Sequence, residues 1–277
     1  MTSQGRVLDE LAANATVAPV TRLVDGWLAK AAPALPFRRA SAVLPAVGAG
    51  ADHRAATATL DVLEAWYRSL GLRLLVQVSS ADPAAPELDA LLAARGAEVE
   101  APVDVLVADA REMAAAAAHA VDGLRVVVEE RAAPGSVPQL TTAVTVGVST
   151  ERAAHLAAAH GTDAAARART LAYGAMLAGL GPDALAGAVV IDGVVVGVAF
   201  AVLERGWAGI FGMATAPAWR RTGVGATLLA ALADAAADRH GTRLYLQVET
   251  DNEAAQALYA GAGFTRDHRY HYRAIRA

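Results

Sequence analysis

The 277-residue chain sets 24 Lys plus Arg against 28 Asp plus Glu, a formal net charge of −4 that excludes the broad basic footprint of a nucleic-acid binder. It has no cysteine, which excludes disulfides, thiolate metal sites and a cysteine nucleophile in one observation. Hydrophobic residues make up 55% but aromatic ones only 5%, so alanine and valine carry the apolar character, and the most apolar stretch (188–203) is broken at Asp192-Gly193, which reads as a hairpin and excludes a membrane span.

The length suits one large domain or two ordinary ones, and two are expected. Residues 1–20 hold Asp9 and Glu10 and no continuous apolar core, so no signal peptide is read and a cytoplasmic location is the default. Residues 18–30 form short β-like runs around Asp25-Gly26, and 37–44 reads as a further strand before the Gly48-Ala49-Gly50 break. Leu60, Leu63, Trp66, Tyr67 and Leu70 recur at helical spacing across 57–70, ending at Gly71. A buried strand (72–78), a short helix (86–95), another strand (103–107) and an alanine-rich connecting helix (108–120) follow. The domain boundary is placed at Asp122-Gly123, giving domains 1–121 and 122–277.

The two halves share a pattern. Gly71-Leu-Arg-Leu-Leu-Val-Gln-Val78 matches Gly241-Thr-Arg-Leu-Tyr-Leu-Gln-Val248 at a constant offset of 241 − 71 = 170. In the same register Asp82 falls opposite Asn252, Leu88 opposite Leu258, and Asp89 opposite Tyr259.

In the second half, 124–130 reads as a strand, 136–148 stays open between loop and strand, and 150–159 and 163–177 read as helices. Strands at 186–191, 194–203 and 207–215 form a meander with turns at Asp192-Gly193 and Glu204-Arg205-Gly206. The chain then runs through a helix (224–239), a strand (243–249), a helix (253–260) and a last strand from 265.

The stretch 209–229 is the most informative. A buried strand ends at Thr215, Pro217 breaks it, and Arg220-Arg221-Thr222-Gly223-Val224-Gly225 leads into an amphipathic helix. Two glycines let main-chain N–H groups converge at a helix N-terminus, a site for a phosphate group, with two arginines beside it. No lysine follows Gly225, so this is not a P-loop, and position 228 is Leu, so it is not a Rossmann turn.

Arg220-x-x-Gly223-x-Gly225 after a strand and Pro217, followed by Leu246-Gln247-Val248-Glu249-Thr250-Asp251-Asn252 and Tyr259 with Gly263-Phe264, resembles the GNAT acyltransferase family over roughly 124–277. The resemblance implies an α/β (α+β) GNAT fold, a mixed and mostly antiparallel sheet flanked by helices, in tandem with a degenerate GNAT-like first half. It implies acetyl-CoA as co-substrate and transfer of an acetyl group to a primary amine. Met213, Ala214 and Thr215 would hold the pantetheine arm, the amides of Arg221, Thr222, Gly223, Val224, Gly225 and Ala226 the pyrophosphate, and Asn252 a further cofactor contact. Tyr259 would be the general acid near the sulfur. For the base, Glu249, Gln247, Glu204 and a water chain remain open, with Glu249 the first choice. His268, Tyr270 and Tyr272 alternate along the last strand and could line an acceptor pocket, with a partly exposed face as the plainer expectation; the histidines lack metal spacing, and no metal is expected. The acceptor is a small-molecule or peptide amine, with no nucleic-acid or membrane partner, and the protein is a monomer or homodimer. A mycothiol-synthase-like acetyltransferase is a narrower option, and a non-catalytic acyl-CoA sensor is the alternative of another class.

Overall fold

The computed structural model describes residues 3–35, 37–116, 125–130, 175–176, 178–180, 183–192 and 194–275. The open segment 136–148, the helix read at 150–159, most of that at 163–177 and the boundary at 122–123 lie outside them. In chain order the helices are α1 (Gln4–Asn14), α2 (His53–Ser69), α3 (Ala85–Ala94), α4 (Ala110–Ala116), α5 (Val224–Ala237) and α6 (Glu253–Gly261). The strands are β1 (Val20–Val24), β2 (Trp27–Ala31), β3 (Val43–Leu44), β4 (Leu74–Ser79), β5 (Glu98–Asp109), β6 (Arg125–Glu130), β7 (Ala184–Ile191), β8 (Val194–Glu204), β9 (Trp207–Thr215), β10 (Arg243–Glu249) and β11 (Thr265–Ile275). Pairing is mostly antiparallel; parallel ladders join β3 to β4 and β9 to β10.

Two compact units result: Met1–Val105 with Val248–Asn252 and Arg266–Ala277, and Leu106–Gln247 with Glu253–Thr265. Two late segments of sequence therefore group with the N-terminal residues, which a division at one point of the chain does not capture. For Arg266–Ala277 the cause is β11, which pairs antiparallel with β4 from Tyr270↔Ser79 to Ile275↔Leu74; in Val248–Asn252 the Thr250 N–H donates to Pro102 O.

In the first unit, α1 starts where the Ser3 hydroxyl accepts the Arg6 N–H, an N-cap. The composition-led reading of residues 1–20 missed this helix, although Leu8, Leu11 and Ala12, all buried, already lie at helical spacing after a serine. Asp25 and Gly26, both at positive φ, close the β1–β2 hairpin in a two-residue turn. The strand expected at 37–44 is instead a 3-10 turn, Arg38–Ser41, followed by the two-residue β3. Val43 and Leu44 pair with β2 and Ala42 O accepts the Lys30 N–H at 3.2 Å, while the Ser41 hydroxyl accepts the Ala32 N–H and holds the turn. The core packs Leu60, Leu63, Trp66 and Tyr67 of α2 on Ala29, Val43, Val76 and Val78.

Lys30 is buried inside this unit. Its ammonium donates to the Ala13 carbonyl and to the Thr16 carbonyl at 2.8 Å, just past the C-terminus of α1, where a cation meets the negative end of the helix dipole. Burial, with Arg39 nearby as the lesser cause, lowers its pKa from 10.5 to about 8. Between those values the unfolded chain keeps a proton that the folded chain has released, so stability should rise as pH climbs from about 8. Tyr67, whose hydroxyl donates to the Lys30 carbonyl at 2.6 Å, has its pKa raised by burial. Above pH 10 the unfolded chain therefore loses a proton the folded one retains, and the trend reverses. Denaturant titrations across pH 7–11 should show a maximum near pH 10, about 2 kcal/mol above neutral pH; in Lys30→Met the rise should vanish.

The second unit is a meander of β6, β7, β8 and β9 with β10 parallel to β9. The β8–β9 turn uses Arg205 and Gly206, both at positive φ. Helix α5 lies close on the sheet because two strand residues lack side chains: a Cβ at Gly187 would stand 3.0 Å from Leu228, and one at Gly197 only 2.5 Å from Val224. The Tyr245 ring lies across Gly209 and meets Phe211 and Trp207 edge-on at 5.9 and 6.3 Å between centroids. Strand β5 runs antiparallel to β10, with Ala110 N–H donating to Thr242 O within this unit and Thr250 N–H to Pro102 O within the first.

Candidate active site

The ladder between β9 and β10 ends at Ile210↔Leu246, whereas β9 runs on to Thr215. The strands part there, and the β10-facing edge of Phe211–Thr215 loses its parallel partner. On the other edge Val198 pairs with Ala214 and Phe200 with Phe211, so Ala199 opposes both Gly212 and Met213. This is a β-bulge, with Gly212 at φ +59 supplying the conformation a side chain resists. The sequence reading missed it, although a glycine three residues after Gly209 inside an apolar strand was a usable signal. Met213, Ala214 and Thr215, expected to hold the pantetheine arm, occupy this half-buried stretch.

Past Thr215 the backbone makes a 3-10 turn over Pro217–Trp219. Arg220 Nε donates back to Thr215 O at 3.3 Å and the Thr222 hydroxyl to Trp219 O at 2.7 Å, fixing the loop from inside. Arg221 (φ +65) and Gly223 (φ +88) then curl the chain into α5. Thr227 is the first to close a bond onto the loop, to Gly223 O at 2.9 Å. Among the described residues no acceptor meets the main-chain N–H groups of Arg221, Thr222, Gly223, Val224, Gly225 and Ala226. These are the orphan donors of a helix start, backed by its dipole and flanked by two exposed arginines, a cradle for an anion.

Gly225 has a packing role as well. A Cβ there would lie 3.0 Å from Leu258 Cδ2, so its absence lets α6 approach the first turn of α5. Tyr259, next along α6, is 9% exposed, and its hydroxyl points at Met213 Sδ, 3.8 Å away on the bulge. The ring is edge-on to Phe264 at 5.8 Å. Burial pushes the phenol up to about 12, so the group holds its proton throughout the neutral range. The second unit thus brings together the loop, the bulged strand and Tyr259.

Glu249 and Asn252 belong to the first unit. Glu249 accepts from Arg38 at 3.1 Å, and Arg38 also reaches Glu100 at 3.5 Å. The preferred base is therefore an exposed carboxylate in an ion pair, a partner 211 residues away that no local pattern announces. Asn252 directly precedes α6 and donates its N–H to Glu249 O at 3.1 Å. His268, Tyr270 and Tyr272 do share a face of β11, but all three are buried in the first unit, where His268 contacts Asp9 at 3.2 Å. They form core there, and the expectation of a partly exposed row is corrected.

The repeat lets the same positions be inspected in the first unit. At the offset of 170, α2, β4 and α3 stand where the other half has α5, β10 and α6. The donors at the start of α2 are taken: the Asp52 carboxylate accepts the Arg54 and Ala55 N–H groups at 3.0 Å each. Asp82 accepts from Gly48 N–H at 2.8 Å. Asp89, opposite Tyr259, is bound by His271 at 2.7 Å and by Arg273 at 2.7 and 2.8 Å, and the Arg273 hydrogen bonds lower its pKa. The Asp52 carboxylate thus fills the first unit's counterpart of the cradle.

The strand that bulges and parts from its neighbour feeds the loop of unmet main-chain donors, and residues 163–264, which include both, match the acetyltransferase (GNAT) family, so the chain carries a GNAT domain there. No curated protein sequence matches the chain. Among solved structures it is similar to a GCN5-related N-acetyltransferase from Kribbella flavida, at 16% identity and a TM-score of 0.68, covering 100% of this chain and 97% of that one. A tandem GNAT protein from the clavulanic acid biosynthesis pathway is similar at 15% identity and a TM-score of 0.64, covering 97% and 87%. A functionally unknown conserved protein from Staphylococcus epidermidis is similar at 12% identity and a TM-score of 0.62, covering 95% and 94%. At these identities the likeness is one of fold: a mixed, mostly antiparallel sheet flanked by helices.

Proposed function

We propose that the protein is an acetyl-CoA-dependent N-acetyltransferase acting on a primary amine, with cofactor binding confined to the GNAT domain. The observation that carries this reading is the row of six unmet main-chain donors at the start of α5, one helix contact away from a buried, protonated tyrosine. Arg221 to Ala226 would hold the diphosphate through their N–H groups, Arg220 and Arg221 would add charge, and Met213 to Thr215 would offer main-chain groups to the pantetheine arm. The thioester supplies an acetyl group already activated for transfer. What remains for the protein is to hold the reactants together and to deliver a proton to the departing thiolate, the role this reading gives to Tyr259 Oη.

One observation favours the second reading, a sensor that binds acyl-CoA without turnover: Glu249 is tied to Arg38. Calorimetry with coenzyme A and acetyl-CoA, followed by thiol release against a panel of small-molecule and peptide amines, separates the two. Saturable binding with amine-dependent thiol release supports the transferase, and a Glu249→Gln variant in the same assay tests that residue as base. Binding without release on any amine supports the sensor. Absence of coenzyme A binding overturns both.

A further inference from the structure

We propose that Met213 is a positioning residue for proton delivery: its thioether sulfur aims the Tyr259 hydroxyl at the bulged end of β9 and then yields it to a stronger acceptor there. This rests on the transferase function proposed above and gives a role to a side chain that function leaves idle.

Tyr259 and Met213 both belong to the second unit. Tyr259 is buried, and its hydroxyl has Met213 Sδ, 3.8 Å away, as its hydrogen-bond partner; among the described residues no oxygen or nitrogen accepts from it. The edge-on contact with Phe264 holds the ring, so rotation about the C–O bond decides where the proton points. Met213 is half-buried and is the second residue of the bulge, on the stretch of β9 that extends past the last pair with β10. That stretch is where the pantetheine arm would lie.

A thioether suits this task better than an oxygen or an apolar group. A buried hydroxyl with no acceptor is costly, which counts against an apolar residue. An oxygen acceptor would remove that cost but hold the proton in a strong hydrogen bond. Methionine sulfur is a weak, uncharged acceptor and takes up no proton itself. It therefore orients the hydroxyl and loses it to an anionic sulfur, whose charge makes the hydrogen bond roughly twice as strong. The proton that moves is the one Tyr259 donates in any case; Met213 sets its direction and forms or breaks no covalent bond.

The test joins two measurements on the full chain. The chain has four methionines, so with their methyl carbons labelled the Met213 signal can be assigned by its loss in Met213→Leu. In the free protein that signal should shift in Tyr259→Phe, which keeps the ring and deletes the hydroxyl, while the other methionine signals stay. In turnover with acetyl-CoA and an amine, Met213→Leu, a swap of similar volume, should lower kcat about fivefold, the worth of one weak hydrogen bond, with coenzyme A affinity near wild type. Met213→Gln, whose amide oxygen retains the hydroxyl, should lower kcat about tenfold or more at the same affinity. In the Tyr259→Phe background Met213→Leu should have no further effect, whereas packing alone would give the same loss in both backgrounds. A Met213 signal unmoved in Tyr259→Phe, a kcat for Met213→Leu equal to wild type, or an equal loss in both backgrounds overturns the positioning role and leaves the transferase standing. A wild type that binds coenzyme A but releases no thiol with any amine overturns both.

Discussion

Replacing Tyr259 by phenylalanine is expected to lower kcat for acetyl transfer about a hundredfold, the lower end of what a positioned proton donor contributes. The change removes one hydroxyl whose contact is a weak one, 3.8 Å to the Met213 sulfur. The edge-on contact with Phe264 survives, so the fold and coenzyme A affinity should stay near wild type. Steady-state kinetics with the best amine of the panel, beside calorimetry with coenzyme A, reads the two quantities separately. A kcat within threefold of wild type would remove Tyr259 from the proton's route. Because burial holds the phenol's pKa near 12, the wild-type kcat should show no alkaline decline from this group below about pH 11.

Gly223→Val is expected to weaken coenzyme A binding at least tenfold. Gly223 caps α5 at φ +88, a backbone region where a β-branched residue is strained by roughly 1–3 kcal/mol. The chain would relieve that strain by turning its amides away from a common centre, and tenfold corresponds to about 1.4 kcal/mol. Calorimetry with coenzyme A measures it, and Gly261→Ala, with open space around a Cβ, should leave affinity unchanged. Unaltered affinity in Gly223→Val would remove the loop from the binding site. Gly50 in the first unit does not serve as a neutral counterpart: a Cβ there would lie 2.1 Å from Ala84 O and 2.6 Å from Leu88 N. Those are main-chain atoms, so Gly50→Val should unfold that unit whatever it does to cofactor binding.

What the sequence discloses of the fold divides along the reach of each interaction. Pro217, Gly223 and Gly225 fix local backbone geometry, so the turn from β9 into α5 was legible from composition and order alone. The repeat was legible for the same reason, since β4 and β10 carry matching residues at matching steps. The bulge at Gly212 was not, because one glycine in an apolar strand has several structural meanings and only the β8 register selects among them. Nor was the fate of Glu249, whose partner Arg38 is brought to it by tertiary folding. His268, Tyr270 and Tyr272 alternate as a strand should, but alternation does not say which face meets solvent, and here the polar-looking one faces inward.

The pairing of β11 with β4 bears on biosynthesis. Since Arg266–Ala277 groups with Met1–Val105, the ribosome must translate β11 before the earlier-made unit can complete its sheet. Nascent chains should thus hold an unfilled β4 edge until β11 is made, an exposure of the kind that invites chaperones and mispairing. Removing Tyr270–Ile275 would injure the unit that holds β4.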